Sequence, residues 1–152
     1  MNQIKKPPIK HEESKLQQTC VQWFRYQYPN ELIFAIPNAR KVPKHIGAIL
    51  KREGVLKGVP DLQIPTSTSE YNGLFIEMKY GKNSTSPDQK KVIVKLRKNG
   101  YKVEVCYSLE EFINAVESYF GIVSEKPKKK TTFNGIEKDI LNNNSDSLIG
   151  IL

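Results

Sequence analysis

The sequence predicts an α/β fold, a mixed central sheet flanked by helices, and three observations carry that expectation. Apolar residues recur at helical spacing in four segments and at strand spacing or in short apolar runs in four others. The two kinds follow one another in the order α-β-α-β-β-α-β-α, which places helices on the faces of a sheet. The chain has 152 residues, 38% of them hydrophobic and 26% charged, the profile of one globular domain able to bury a core.

The first helix is expected over 12–28. Glu13, Leu16, Gln17, Cys20, Val21 and Phe24 fall on one stripe of it, and Pro29-Asn30 ends it. Leu32 to Ile36 is a short apolar run that suits a strand, closed by Pro37-Asn38. A second helix runs from about Pro43 to Glu53, with Ile46, Ile49 and Leu50 as its apolar face and Gly54 as its stop. Asp61 to Ile64 reads as a strand cut by Pro65. Leu74 to Tyr80 is the strongest strand in the chain.

Ser86-Pro87-Asp88-Gln89 is a helix start, with Ser as N-cap, Pro at the first helical position and an acid in the first turn. That helix reaches about Asn99, turning Val92, Ile93 and Leu96 inward, and Gly100 stops it. Tyr101 to Tyr107 alternates as a strand through Val103 and Val105. Ser108 then caps a last helix carrying Phe112, Ile113, Val116 and Phe120. Residues 1–11 read as an N-terminal arm, 12–120 as the folded domain and 121–152 as a polar, largely disordered tail ending in the apolar Leu148-Ile149-Gly150-Ile151-Leu152.

Several classes are excluded by what the sequence lacks. No apolar run approaches the ~20 residues that span a bilayer, and the N-terminus has no signal-peptide core; a cytoplasmic protein is expected. Cys20 and Cys106 are far apart, without a CxxC or a nearby His, so zinc is not indicated and buried reduced thiols are. His11 and His45 have no partners at ligand spacing. A Ser/His/Asp triad and a glycine-rich phosphate loop are absent. The net charge is +8, of which the tail from residue 121 supplies only +1, so the folded part is basic and suited to a polyanion such as nucleic acid.

The chemistry concentrates in two segments, Gly58-Val59-Pro60-Asp61 and Phe75-Ile76-Glu77-Met78-Lys79. Side chains on a strand alternate, so Glu77 and Lys79 share one face while Ile76 and Met78 share the other. A carboxylate and an ammonium beside a second carboxylate can hold a hard divalent cation and manage an attacking water. Asp61 alone reads first as a turn aspartate, and Glu77 with Lys79 alone reads first as a surface ion pair contributing ~0–1 kcal/mol. Two further polar side chains bear on the choice. Glu13 either points toward this site or emerges into solvent at the helix start. Gln89, on the inner face of its helix, either bonds local backbone or reaches a phosphate or Lys79. Lys57, Arg40 and Lys41 are loop cations near the site, and Lys90, Lys91, Lys95, Arg97 and Lys98 make one helix flank basic.

Taken in register, Glu13-x-x-Leu16-Gln17, Ile36-Pro37-Asn38, Gly54-x-x-x-Gly58-Val59-Pro60-Asp61, Phe75-Ile76-Glu77-Met78-Lys79, Ser86-Pro87-Asp88-Gln89 and Gly100-Tyr101 resemble the VRR-NUC branch of the PD-(D/E)xK nuclease superfamily over residues 12–120. The small stand-alone form is similar to those of phages and prophages. The resemblance implies a restriction-endonuclease-like core and a Mg²⁺- or Mn²⁺-dependent endonuclease acting on DNA, with a preference for branched or structured DNA. It also implies that Asp61, Glu77 and the Met78 carbonyl ligate the metal, with Glu13 completing the site directly or through water. Lys79 would orient or deprotonate the attacking water or steady developing charge, and Gln89 would support. Symmetric homodimers are expected by the same resemblance. The alternative is a nucleic-acid-binding protein with an inactive nuclease fold.

Overall fold

In the computed structural model, the structure describes residues 9–37 and 42–121. Arg40, Lys41, the arm before residue 9 and the tail after Gly121 lie outside the described residues. Within them stand α1 (Ile9–Gln27), β1 (Phe34–Ala35), α2 (Lys44–Arg52), β2 (Leu62–Ile64), β3 (Leu74–Met78), α3 (Pro87–Lys98), β4 (Lys102–Cys106) and α4 (Leu109–Phe120). The element order is the expected one. Two boundaries differ. Helix α1 begins at Ile9, inside the segment read as an arm, and β1 is two residues long where five were expected. Pairing beyond β1 lasts only through the Ile36 N–H, which donates to the Asp61 carbonyl at 2.8 Å, because Pro37 has no N–H to offer.

The four strands form one mixed sheet in the order β1-β2-β3-β4. Strands β1 and β2 pair antiparallel, β2 and β3 antiparallel with Leu62 opposite Ile76, and β3 and β4 parallel with Glu77 opposite Val105. The parallel pair requires a crossover, which α3 supplies. Strand β3 is buried along its whole length, as a central strand covered on both faces should be.

Alternation along the strands sorts the molecule into two layers of core. Leu62, Ile64, Leu74, Ile76, Met78 and Cys106 pack with Cys20, Trp23 and Phe24 of α1 and Phe112, Val116 and Tyr119 of α4. Phe75 and Val103 face the other way, against Ile93 of α3, with Val59, Leu96 and Tyr101 at the margin. The α1 stripe read from the sequence holds at Cys20 and Phe24; Trp23, which that stripe omitted, is buried too and meets Phe112 edge-on. Cys20 and Cys106 are buried free thiols, both pushed up to about 12, by burial before any other cause.

Helix ends follow their sequence signals. Gly54 at φ +98° closes α2, with its N–H bonded to the Lys51 carbonyl and the Val55 N–H to that of Leu50, the reciprocal pair of a Schellman motif. Yet α2 buries none of its residues, and its apolar stripe belongs to neither core layer. Among the described residues no helix is long and apolar enough to cross a membrane.

Candidate active site

The face of the sheet turned toward α3 carries the polar exceptions to the core. Because Ile76 and Met78 face α1 and α4, the odd positions Glu77 and Lys79 must face α3. Both are buried, Glu77 to 1% exposure, and they are the only buried charged residues among those described. The Lys79 Nζ stands 2.7 Å from Glu77 Oε1. An edge strand with a solvated ion pair is thereby excluded: Glu77 lies in the interior strand β3 and Lys79 directly follows it.

Gln89 completes the contact set around Glu77. Ser86 caps α3 by accepting the Gln89 N–H at 3.3 Å, and the Ser86 N–H donates back to Gln89 Oε1 at 2.7 Å, a full capping box. A backbone N–H can only donate, so the atom facing it must be the amide oxygen. The Gln89 Nε2 is then left pointing at Glu77 Oε1, to which it donates. The sequence reading placed Gln89 either on local backbone or on a phosphate or Lys79; the side chain bonds the Ser86 backbone at one end and Glu77, a partner that reading did not name, at the other. The Ser-x-x-Gln spacing was the available signal for this orientation.

Asp61 arrives from the antiparallel neighbour. Its Oδ2 accepts the Met78 N–H at 2.9 Å, which ties the loop carboxylate to the strand bearing Glu77. What lets that loop close inward is Gly58, which the sequence reading placed in the key Gly58-Val59-Pro60-Asp61 segment without giving it a neighbour. It sits at φ +90°, and a Cβ there would lie 2.7 Å from the Asp88 carbonyl carbon and 2.9 Å from the Gln89 nitrogen. Only glycine lets the loop touch the first turn of α3. Just beside it, Lys57 pairs with Asp88 at 2.8 Å on the exposed side, so this loop cation already has a carboxylate partner.

Electrostatics single out Glu77. Its carboxyl is raised to about 7, first by burial and then by the Asp61 charge, while Lys79 opposes and Glu13 adds the smallest upward push. Both of its bonds go to Oε1. Its Oε2 is buried without a hydrogen-bond partner. An orphaned buried carboxylate oxygen is costly, and a proton or a cation is what relieves it.

The sites expected for a metal therefore divide. Asp61, Glu77 and Met78 converge, with Lys79 and Gln89 around them. Glu13, half-buried on α1, acts on Glu77 only through its charge. Among the described residues no three His, Cys, Asp or Glu side chains form a ready-made cluster. Two carboxylates, Asp61 and Glu77, the second with its Oε2 unbonded, together with a backbone carbonyl still fit a hard cation, because Mg²⁺ is commonly held by one or two carboxylates and keeps several waters.

Comparison with known proteins identifies the family and the fold. The family model for the VRR-NUC domain matches residues 10–110. A solved structure titled "VRR_NUC domain protein" superposes with a TM-score of 0.59 at 28% identity, covering 72% of this chain and 88% of that one. No curated protein matches at a significant level.

Proposed function

The chain belongs to the VRR-NUC nuclease family, and from that premise we propose that it is a Mg²⁺- or Mn²⁺-dependent endonuclease that hydrolyses DNA phosphodiester bonds. The observation that carries the proposal is Glu77: buried, near neutral in its titration, bonded through one oxygen and open at the other. Asp61, Glu77 through Oε2, and the Met78 carbonyl would hold the metal, with Glu13 contributing negative potential. The metal supplies Lewis-acid polarisation of the phosphodiester and a water of lowered pKa. Lys79 uses one donor on Glu77 and has two left, enough to orient the attacking water and to offset charge developing on the phosphate. Gln89 locks the Glu77 rotamer, leaving the open oxygen aimed away from the amide.

Two finer features rest on the likeness to small stand-alone members of the family: a preference for branched or structured DNA, and a homodimer. A second reading, a DNA-binding protein with an inactive site, is favoured by the absence of a third gathered acidic ligand among the described residues.

The deciding experiment sets purified protein against linear, flapped and four-way junction DNA with Mg²⁺, Mn²⁺ or EDTA. Glu77→Ala and Lys79→Ala serve as controls. Cleavage is expected only with metal, with at least a hundredfold loss in either variant, on the scale of deleting one transition-state contact, while DNA binding persists. Tight junction binding without cleavage under every condition would move the assignment to the second reading.

A further inference from the structure

We propose that the outer face of α3 is the track along which the DNA backbone approaches the site, with Lys91, Lys95 and Lys98 each neutralising a phosphate. The inference rests on the nuclease reading for the identity of the polyanion. Helix α3 is anchored in the site at its first turn, where Gln89 bonds Glu77. Its inner side is taken up by Gln89, Ile93 and Leu96, so residues 91, 95 and 98, at spacings of four and three, share the stripe directly opposite. All three lysines are exposed, and none forms an ion pair among the described residues.

The one acid on α3, Asp88, is engaged chiefly by Lys57 and offsets this charge only in part, at Lys91. Lys57 pairs with it, and its carboxyl is held below the ordinary range by Lys57 first, with Lys91 adding to the effect. Arg97 is diverted elsewhere, its Nη2 donating to the Val103 carbonyl at 2.7 Å. What remains outward is a run of like charges at i,i+4 and i,i+3, an arrangement that destabilises an isolated helix and that an anionic partner would relieve. The helix rises ~1.5 Å per residue, so Lys91 to Lys98 covers about 10 Å along its axis. One DNA strand advances ~3.4 Å per nucleotide, so that span matches roughly three phosphates. The basic residues of α2 are the competing surface. Lys44, Lys51 and Arg52 are likewise exposed, but no side chain of α2 joins the site's hydrogen bonds.

The test is fluorescence anisotropy of duplex DNA in EDTA over a series of salt concentrations. It compares wild type, Lys91→Gln/Lys95→Gln/Lys98→Gln, and Lys44→Gln/Lys51→Gln/Arg52→Gln. Each lost phosphate contact lowers the slope of log K against log salt by about 0.9. The α3 variant should therefore lose between two and three units of slope, and in cleavage assays show a raised KM with kcat kept. The α2 variant should lose less. An unchanged slope in the α3 variant, or a larger loss in the α2 variant, overturns the proposal. Because binding is read without metal, a slope that falls in a protein that never cuts would sustain the track and remove the nuclease. Cleavage with an unaltered slope would do the reverse.

Discussion

Glu77 shows how a single side chain can be unfavourable for the fold and suited to chemistry. Its folded carboxyl titrates near 7 against 4.5 ordinarily. Between those values the native state binds a proton that the unfolded chain lacks, so stability declines as pH rises through the window. At ~1.4 kcal/mol per pKa unit, the decline is on the order of 3 kcal/mol. Above pH 7 the carboxylate is ionised and available to a cation, and a ligand that binds only the native state raises its stability. Mg²⁺ or Mn²⁺ should therefore raise Tm more at pH 8 than at pH 6, and this pH dependence should vanish in Glu77→Ala. Thermal melts with and without metal at the two pH values measure it; equal shifts in wild type would remove Glu77 from the ligand set.

At the scale of elements, the site depends on how the start of α3 meets the loop before β2. The contact is backbone against backbone: Gly58 on Asp88 and Gln89. Gly58→Ala introduces a Cβ where there is no space, at a positive φ that L residues rarely adopt. It should cost about 1–3 kcal/mol and, by displacing Asp61 and Gln89 together, lower kcat more than Ser86→Ala. The latter removes the cap alone, at about 1 kcal/mol. Chemical denaturation and steady-state cleavage of the two variants check the order; full activity in Gly58→Ala would show that the loop does not need this contact. The open edge at β4 is a second elemental feature. Lys102 and Cys106 bond toward β3, so Val103, Val105 and Tyr107 direct backbone groups outward. Two of those groups are occupied locally: the Val103 carbonyl by Arg97, and the Tyr107 N–H by Glu111 Oε2 at 2.8 Å. Such blunting opposes strand addition, so the proposed homodimer would be better served by a helix face than by this edge.

For the whole molecule, the match to the family ends at residue 110 and the last described helix at Phe120, while the charge that suits DNA lies in the body. Removal of residues 123–152 should leave metal-dependent cleavage within about twofold of the full chain, because those residues supply only +1 of the charge and every residue proposed for the site lies before them in the chain. Activity of the truncated protein on the same substrates decides it; an aggregated or inactive product would assign the tail a place on the body.

Periodicity and punctuation made most of the architecture legible from residues alone. Strand alternation put Glu77 and Lys79 on one face, Ser86-Pro87 opened α3, and the charge balance assigned the basic surface to the folded part. These are local consequences of backbone geometry and need no knowledge of neighbours. What the sequence left open were contacts between segments distant along the chain. It could not tell whether Glu77 and Lys79 lay on an edge or in the centre, since burial is conferred by α3 and β4. Nor could it divide Gln89 between its cap and Glu77, give Gly58 its neighbour, or rank Glu13 as a remote charge, since each depends on distances that only packing sets. The residue types able to do the chemistry are local information; their convergence on one buried carboxylate belongs to the tertiary structure, because side chains separated along the chain meet only when the sheet and its helices close around them.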